Sequence, residues 1–459
     1  MDKKTITIFI LFCTLFSLKA QQLNTLFLMN NSIESNSENP SKKLYCKYLI
    51  GLPALSALHF DVGSTLSYRN IISKTGDLRL DNISKNTFSR NTISTNFSLQ
   101  LISIGYKLNR KNDIFFSVSD KVYARFTYPK DFVEFGINGN KQFIGETLNL
   151  KSLSARAAYY REYSFGIART INKRLDLGMK LKILFGKASF KSNIKELSLY
   201  TDANSYALTA KSNIELFTSL PITVATDIDG KLSDIKTNNF DAYKFIMNSA
   251  NKGVAIDFGG KYIFNKKLTF TASIIDFGFI RWSSDANKFS QQLEYNISGN
   301  TYSTTSGTII DSLRNSIKPI PSKSNFTTWL PTRTNLAIEY KYSNKIYFSA
   351  LSRTEILYNT FIPSFTIGAS YSPNYKFSSI ITWSYINNSF LNIGIGASYQ
   401  IGITRFHFVT DNALAAIWPE LIRGTSVRLG INFAFGCPKI KKKKVDCGCN
   451  LPIYTAKRR

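Results

Sequence analysis

The two histidines are the side chains best suited to acid–base or nucleophilic chemistry in this sequence. His59 stands between Leu58 and Phe60, and His407 likewise stands between two phenylalanines. In strands whose side chains alternate, both imidazoles face the polar side. An enzyme that cleaves lipids needs its serine–histidine pair on the opposite, apolar surface. We therefore expect no enzymatic activity and assign no catalytic residue.

Metal and cofactor sites are not expected either. Cys447 and Cys449 are separated by one residue instead of the two common in zinc sites, and no histidine lies near them. The nearest approach to a phosphate-binding loop is Phe258-Gly259-Gly260-Lys261, but it lies inside a predicted strand. Paired glycines there indicate a bend or the close approach of another backbone.

Charged residues on the polar faces of predicted strands remain as candidates for a binding site. They are Lys121, Arg125, Lys180, Lys182, Glu339, Arg405 and Arg428. In one interpretation they pair with acids such as Asp61 inside a filled interior. In the other, an excess of cations orients an anionic head group such as a carboxylate, while Phe115 and Tyr123 line an apolar path.

Recurrent short turns connect the strands that carry these residues. They occur at 108–112, 171–174, 264–267 and 343–345, with a looser version at 373–376. In each, a residue that tolerates positive φ precedes cations, and apolar residues of period two flank the turn. The pattern predicts consecutive β-hairpins.

The predicted strands have one apolar and one polar face. Between 175 and 186, Leu177 and Leu181 belong to the apolar set, whereas Lys180 and Lys182 belong to the polar set. Apolar and polar residues also alternate in the strands of a soluble β-sandwich. The amino terminus is therefore needed to distinguish a sandwich from a membrane barrel. Residues 1–20 have the charged, apolar and cleavage regions of a secretory signal peptide ending at Ala20. No later run of about 18 apolar residues follows, so an exported chain that enters a membrane does so as a closed barrel.

Fourteen strands are predicted, which places both ends of the barrel in the periplasm. Their approximate spans are 57–68, 94–107, 113–126, 153–168, 174–188, 253–264, 267–281, 333–342, 345–356, 361–372, 376–387, 389–401, 403–411 and 426–435. Long connections at 69–93, 127–152, 282–332 and 412–425 then point outward. Segment 189–252 is either one large outer loop or contains an extra pair of strands near 206–222, which gives sixteen.

The chain divides into a signal peptide (1–20), a periplasmic or plug-like segment (21–55), the barrel (56–436) and a basic periplasmic tail (437–459). The second segment either enters the lumen as a plug or lies against the rim as a short helix or coil. In such a barrel Cys46 and Cys437 lie near the same rim, either disulfide-bonded or as free thiols. The tail carries Lys441 to Lys444 and is expected to be disordered, with a possible periplasmic protein partner.

The formal net charge of +28 is scattered over turns, loops and strand faces. We assign it to anionic lipid head groups and lipopolysaccharide at the rims of the barrel. Nucleic acid is not an expected partner, because an exported chain does not meet it.

Several segments together resemble a known family. They are Asn39-Pro40, Gly51-Leu52-Pro53, the run from Asp276 to Trp282, Leu330-Pro331-Thr332-Arg333 and the closing run from Arg428 to Gly436. The chain resembles an uncharacterised outer-membrane barrel family of Bacteroidota, which looks related to FadL-type long-chain fatty-acid transporters and PorV-like secretion barrels. The resemblance covers nearly the whole mature chain and implies an outer-membrane barrel but no particular activity. Together with the strand count, the expected fold is all-β: a transmembrane antiparallel β-barrel of about 14 strands, with 16 as the alternative, and an amino-terminal plug-like segment.

We therefore expect location in the cell outer membrane and passage of a small hydrophobic or amphipathic solute. The alternative is a non-transporting barrel that serves as anchor or interaction partner in envelope or secretion machinery. Its contacts would be the long outer loops and the lysine-rich tail.

Overall fold

A computed structural model describes residues 23–29, 32–73, 77, 79–228, 232–237, 241–297, 319–357, 360–386 and 388–438. The predicted signal peptide and the tail beyond residue 438 lie outside these residues. Among the helices described, none has the length and apolar character needed to cross a lipid bilayer.

Strands make up most of the fold. They are β1 (Tyr48–Gly51), β2 (Leu58–Ser64), β3 (Arg90–Lys107), β4 (Asn112–Pro129), β5 (Thr147–Asn149), β6 (Ser154–Thr170), β7 (Leu175–Thr201), β8 (Leu208–Ser219), β9 (Ile222–Thr226), β10 (Leu232–Thr237), β11 (Asn251–Ile263), β12 (Leu268–Trp282), β13 (Ala286–Ile297), β14 (Ile320–Lys323), β15 (Phe326–Trp329), β16 (Thr332–Lys341), β17 (Ile346–Leu357), β18 (Thr360–Asn374), β19 (Phe377–Ile386), β20 (Ser389–Ile401), β21 (Thr404–Thr410) and β22 (Gly424–Phe435). The α-helices are α1 (Asn24–Leu28), α2 (Tyr68–Ile71), α3 (Leu80–Asn86), α4 (Lys130–Asn138) and α5 (Ala242–Met247), and 3₁₀ turns cover Glu34–Ser37, Lys141–Phe143, Ala413–Ala416 and Pro419–Leu421.

The described strands close an antiparallel barrel of fourteen wall positions, as predicted. β1 and β2 together fill the first position, because both pair with β3 on one side and β22 on the other. β15 and β16 likewise share one position beside β12. Each of the fourteen predicted spans overlaps a wall strand. The wall begins at Tyr48, within the predicted 21–55 segment, because residues 48–51 already pair with β22.

The short turns lie where they were predicted, but their asparagines act in a different way. Asn109 Oδ1 accepts hydrogen bonds from the backbone N–H groups of Lys111 and Asn112, at 2.9 and 2.8 Å. Asn172 and Asn265 close their turns with the same pattern of bonds. None of the three has a positive φ. The predicted turns are therefore closed by side-chain acceptors, and these asparagines do not use the positive φ that they tolerate.

The outer face of the wall is an apolar belt. On β7, Leu177, Met179, Leu181 and Ile183 are 41–47% exposed, while Lys182 between two of them is 3% exposed. The same alternation of exposed apolar and buried residues recurs on β11, β16 and β20. Hydrocarbon is the environment that such a closed belt requires, so the barrel is transmembrane.

Segment 189–252 adds no wall strand. β7 continues beyond the wall to Thr201, and β8 pairs with this continuation and with β13. β14 joins β13, so the wall is extended at its long-loop end by a sheet that we call the extension sheet: residues 189–201, β8, β13 and β14. A strand does occur near the predicted 206–222, but it belongs to this sheet, and the barrel has fourteen strands and not sixteen.

The first and last wall strands are joined covalently at the short-turn end. Cys46 precedes β1, Cys437 follows β22, and their sulfur atoms form a disulfide. The backbone N–H of Lys47 also donates to the carbonyl of Gly436 at 3.2 Å. Of the two states considered for this cysteine pair, the structure shows the disulfide.

Candidate functional site: the plugged lumen

The amino-terminal segment is a plug inside the lumen, as the plug interpretation predicted. We define the plug as residues 23–29 and 32–47. Its first part is apolar: Leu26 is fully buried, in one cluster with Ala337, Leu351 and Val409 of the wall. Asn24 donates from Nδ2 to the Thr366 hydroxyl at 3.0 Å. This part is therefore held by packing together with buried hydrogen bonds, among them that of the Thr25 N–H to Asp411 at 2.7 Å.

Two wall glycines create the space for the middle of the plug. A Cβ atom built on Gly178 would overlap Pro40, and one on Gly259 would overlap the side chain of Asn39. β7 and β11 thus allow the plug backbone to approach the wall closely, which only residues without a side chain permit. The prediction of a close approach at Gly259 agrees with this contact.

A buried ion pair anchors the first 3₁₀ turn of the plug. Arg405 Nε lies 3.0 Å from Glu34 Oε1, and both side chains are at most 3% exposed. His407 Nδ1 lies 3.7 Å from the same oxygen. Burial alone would raise the pKa of the Glu34 carboxyl, but Arg405 and His407 outweigh burial and lower that pKa to about 2. Glu34 is therefore a carboxylate at neutral pH.

A second anchor connects Glu38 to two strands of the wall. Glu38 Oε2 lies 3.0 Å from Arg353 Nη2 and 3.2 Å from Arg333 Nη1. Burial by itself would raise the pKa of the Glu38 carboxyl, but the charges of Arg333, Arg353 and Arg428 outweigh it and lower that pKa to about 2. The Ser273 hydroxyl donates to the Glu38 carbonyl at 2.8 Å, which fixes the backbone here as well.

The wall beside this anchor carries a dense ionic cluster. Lys182 Nζ lies 2.6 Å from both Asp257 Oδ2 and Asp276 Oδ1, and Lys121 Nζ lies 2.7 Å from Glu162 Oε2. Asp276 has a φ of +60° in the middle of β12, and its N–H donates to Asp257 Oδ1 at 2.7 Å. A non-glycine residue in this region is strained, so the surrounding ion pairs hold the backbone in place.

The remaining predicted site residues also face the lumen. Arg125 Nη2 contacts Glu355 Oε1 at 2.6 Å, and Lys180 Nζ donates to the plug carbonyl of Asn36 at 2.8 Å. Arg428 lines the lumen cavity and is 8% exposed.

Glu339 faces Lys42 of the plug, and the two side chains interact electrostatically. All seven predicted residues therefore lie on the inner side of the wall. Their role as a ligand site stays a prediction.

The expected excess of cations is not present around the cavity. Its acidic side chains slightly outnumber its lysines and arginines. The prediction omitted Glu34 and Glu38, because strand alternation cannot orient residues of an irregular plug. It also omitted Arg333, Arg353 and Glu355, although alternation in β16 and β17 was sufficient to place them inward.

Between plug and wall remains a cavity of about 200 Å³ with two different sides. Ser103, Gly105, Phe115 and Ser117, in the parts of β3 and β4 next to the 108–112 turn, line the uncharged side, whereas Lys121 farther along β4 belongs to the charged side. Tyr123 also lines the cavity, so both aromatics predicted to face the lumen do so. The ionic cluster and the plug anchors form the charged side. A ligand here would contact polar charge at one end and small or aromatic groups at the other.

Comparison with known proteins gives a family but no activity. The profile described as "Family of unknown function (DUF5723)" matches residues 40–411. No curated protein matches the chain significantly.

Three solved structures that resemble the fold cover most of the chain at low identity. The Ralstonia pickettii toluene transporter TbuX has 11% identity and a TM-score of 0.40, covering 87% of this chain and 92% of its own. The Pseudomonas putida toluene transporter TodX has 10% identity and a TM-score of 0.40, covering 92% and 99%. A Pseudomonas aeruginosa FadL homologue has 10% identity and a TM-score of 0.39, covering 87% and 94%. At these values the likeness says nothing about a solute.

Proposed function

We propose that this chain, which belongs to the family of unknown function DUF5723, is an outer-membrane barrel that passes a small amphipathic solute. The observation that carries the proposal is the two-sided cavity between plug and wall. Its charged side suits a polar head group, and the side lined by Ser103, Phe115 and Ser117 suits an uncharged body. The apolar outer belt supports the membrane location. The charged lining favours an amphipathic solute over a purely hydrophobic one.

Passage requires the plug to move. The cavity of about 200 Å³ is smaller than the roughly 300–1,000 Å³ of typical ligand pockets, so it admits a head group but not a whole amphiphile. Residues 23–29 are held by apolar packing and by hydrogen bonds such as that of the Thr25 N–H to Asp411, whereas residues 34–38 are held chiefly by ion pairs with Arg333, Arg353 and Arg405. A polar solute can exchange with ion pairs more readily than with packed apolar side chains. The second part of the plug is therefore the part that opens.

The test is solute flux through the reconstituted barrel. The mature protein and a variant lacking residues 23–43 are placed in liposomes, and uptake of a short amphiphile is measured together with single-channel conductance. We expect low conductance from the intact protein and a large increase after the deletion. The matched control is Glu294→Gln, which alters an exposed acid of the extension sheet. A folded deletion variant that conducts nothing would exclude passage through the lumen.

A second candidate function is that of an anchor for an envelope partner. The extension sheet favours it, because this sheet projects beyond the wall and carries a charged face with Lys191, Lys288 and Glu215 around Phe217. The basic tail offers another contact, although it lies outside the described residues from 439 onward. Deletion of 440–459 should leave the folded barrel intact and remove a crosslinked partner. If the crosslinked partner is still captured after deletion of 440–459, the extension sheet is the favoured contact. The anchor function itself is favoured if the variant lacking residues 23–43 also shows no flux.

A further inference from the structure

Three arginines from three separate strands converge on one carboxylate of the plug. Arg333 on β16, Arg353 on β17 and Arg428 on β22 all interact electrostatically with Glu38, and the first two are within 3.2 Å of it. We call these residues the arginine cluster. Arg428 is paired in register with His59 on β2, so the imidazole stands directly beside the cluster.

The arginine cluster has hydrogen-bond donors left over. Arg353 is 1% exposed, yet its Nε and Nη1 atoms have no hydrogen-bond partner among the described residues. The same holds for Arg428 Nε and His59 Nε2. Buried donors without partners are rare in folded proteins and indicate an unfilled site. All three side chains line the lumen cavity, so a ligand in the cavity can reach them.

These observations indicate what the cluster binds. Glu38 shows that a carboxylate fits between Arg333 and Arg353, and guanidinium groups bind carboxylates through paired N–H donors. The acidic side chains that line the same cavity slightly outnumber its lysines and arginines, which disfavours a second negative charge on the ligand. A singly charged carboxylate is thus favoured over a dianion such as phosphate.

We infer that the arginine cluster is a carboxylate-binding site that Glu38 occupies while the plug is seated, and that a carboxylate on the solute displaces Glu38. The plug thus carries its own competing ligand. Binding of the solute removes one of the two ionic anchors of residues 34–38 and loosens this part of the plug. The inference rests on the proposed passage of an amphipathic solute and names its head group.

The first experiment measures binding without any flux. The mature chain in a neutral detergent is titrated with hexanoate, acetate, hexanol and inorganic phosphate by calorimetry. We expect hexanoate to bind, hexanol to bind far more weakly, and phosphate to be weaker than either carboxylate. If acetate binds as tightly as hexanoate, the ligand is a small free acid. If hexanoate binds more tightly than acetate, the ligand is an amphiphile. Equal affinity for hexanoate and hexanol would overturn the inference.

Variants assign the binding to the cluster. Glu38→Gln removes the competing carboxylate and should tighten hexanoate binding by about tenfold or more, since one charge-assisted interaction no longer competes. Arg353→Gln should abolish binding. Arg353→Lys keeps the charge but loses the planar donors. It replaces the glutamine variant in the binding measurement if that variant does not fold. Lys211→Gln, on the exposed extension sheet, is the control and should bind normally.

A second readout reports the plug itself. Ser35 is fully buried in the plug, so Ser35→Cys in a background with Cys447 and Cys449 replaced by serine is labelled by a maleimide only when the plug opens. Hexanoate should accelerate labelling, and Glu38→Gln should be labelled rapidly without it. Normal hexanoate binding without faster labelling would overturn displacement of the plug. Absence of flux with intact hexanoate-dependent labelling would contradict passage but leave the carboxylate site standing.

Discussion

Removing the charge of Glu34 should release the second part of the plug. Arg405 is fully buried, and its Nε atom lies 3.0 Å from the Glu34 carboxylate. Glu34→Gln removes the carboxylate that pairs with that guanidinium. Breaking a buried pair by removing one partner typically costs about 3–5 kcal/mol. The equilibrium between seated and open plug should therefore shift by roughly two to four orders of magnitude.

The neighbouring contacts limit this effect. Arg405 Nη1 also donates to the carbonyl of Tyr375 at 2.9 Å, so the lower end of the range is the better expectation. Residues 23–29 stay seated, held by apolar packing and by the hydrogen bonds of Asn24 and Thr25 to Thr366 and Asp411. The strands are unaffected, and the heat-modifiable gel shift of the barrel should persist. The loss should appear as labelling of Ser35→Cys and as increased conductance.

A double variant tests the reasoning. Glu34→Gln combined with Arg405→Gln removes both charges, so the double variant should be less perturbed than the sum of the two single variants. Trypsin cleavage of the plug at Lys42 gives an independent measure of opening. Strictly additive effects, or a Glu34→Gln variant with labelling as slow as the unaltered plug, would refute the anchoring role of this pair.

Three other perturbations follow from the structure. Leu181→Arg should destabilise the barrel in lipid by about 2–4 kcal/mol near the midplane. Lys180→Ser loses one hydrogen bond to the plug and should cost about 1 kcal/mol. Equal losses of unfolding free energy in urea would contradict the assigned faces. Gly259→Leu should expel the plug without any change of charge, and Ser35→Cys should then be labelled rapidly. Slow labelling would show that the wall backbone moves to accommodate the leucine side chain. The lowered pKa values of Glu34 and Glu38 mean that ionisation favours the seated plug: this stabilisation is complete above the ordinary value of 4.5 and is lost as the pH falls toward about 2. Because a thiol hardly reacts with maleimide in acid, plug opening over this range is read as single-channel conductance. A conductance that is independent of pH would exclude both carboxylates as anchors.

The sequence determined the wall of this protein. Each strand combines a period-two pattern with a local turn signal, so Leu181 and Lys182 are assigned to opposite faces from their neighbours alone. The turns at Asn109, Asn172 and Asn265 were located for the same reason, although the local pattern did not distinguish side-chain acceptors from positive φ.

Tertiary structure decided what fills the lumen. Glu34 and Glu38 belong to an irregular segment, and no periodicity says which wall residues they meet more than 290 positions later in the chain. The partners of Lys182 come from β11 and β12, and the closing disulfide joins cysteines 391 residues apart. Such contacts depend on how the closed barrel brings distant strands around one cavity. Strand alternation is a local property and the content of the lumen is not, which is why the sequence specified the barrel but left its plug anchors and arginine cluster to the fold.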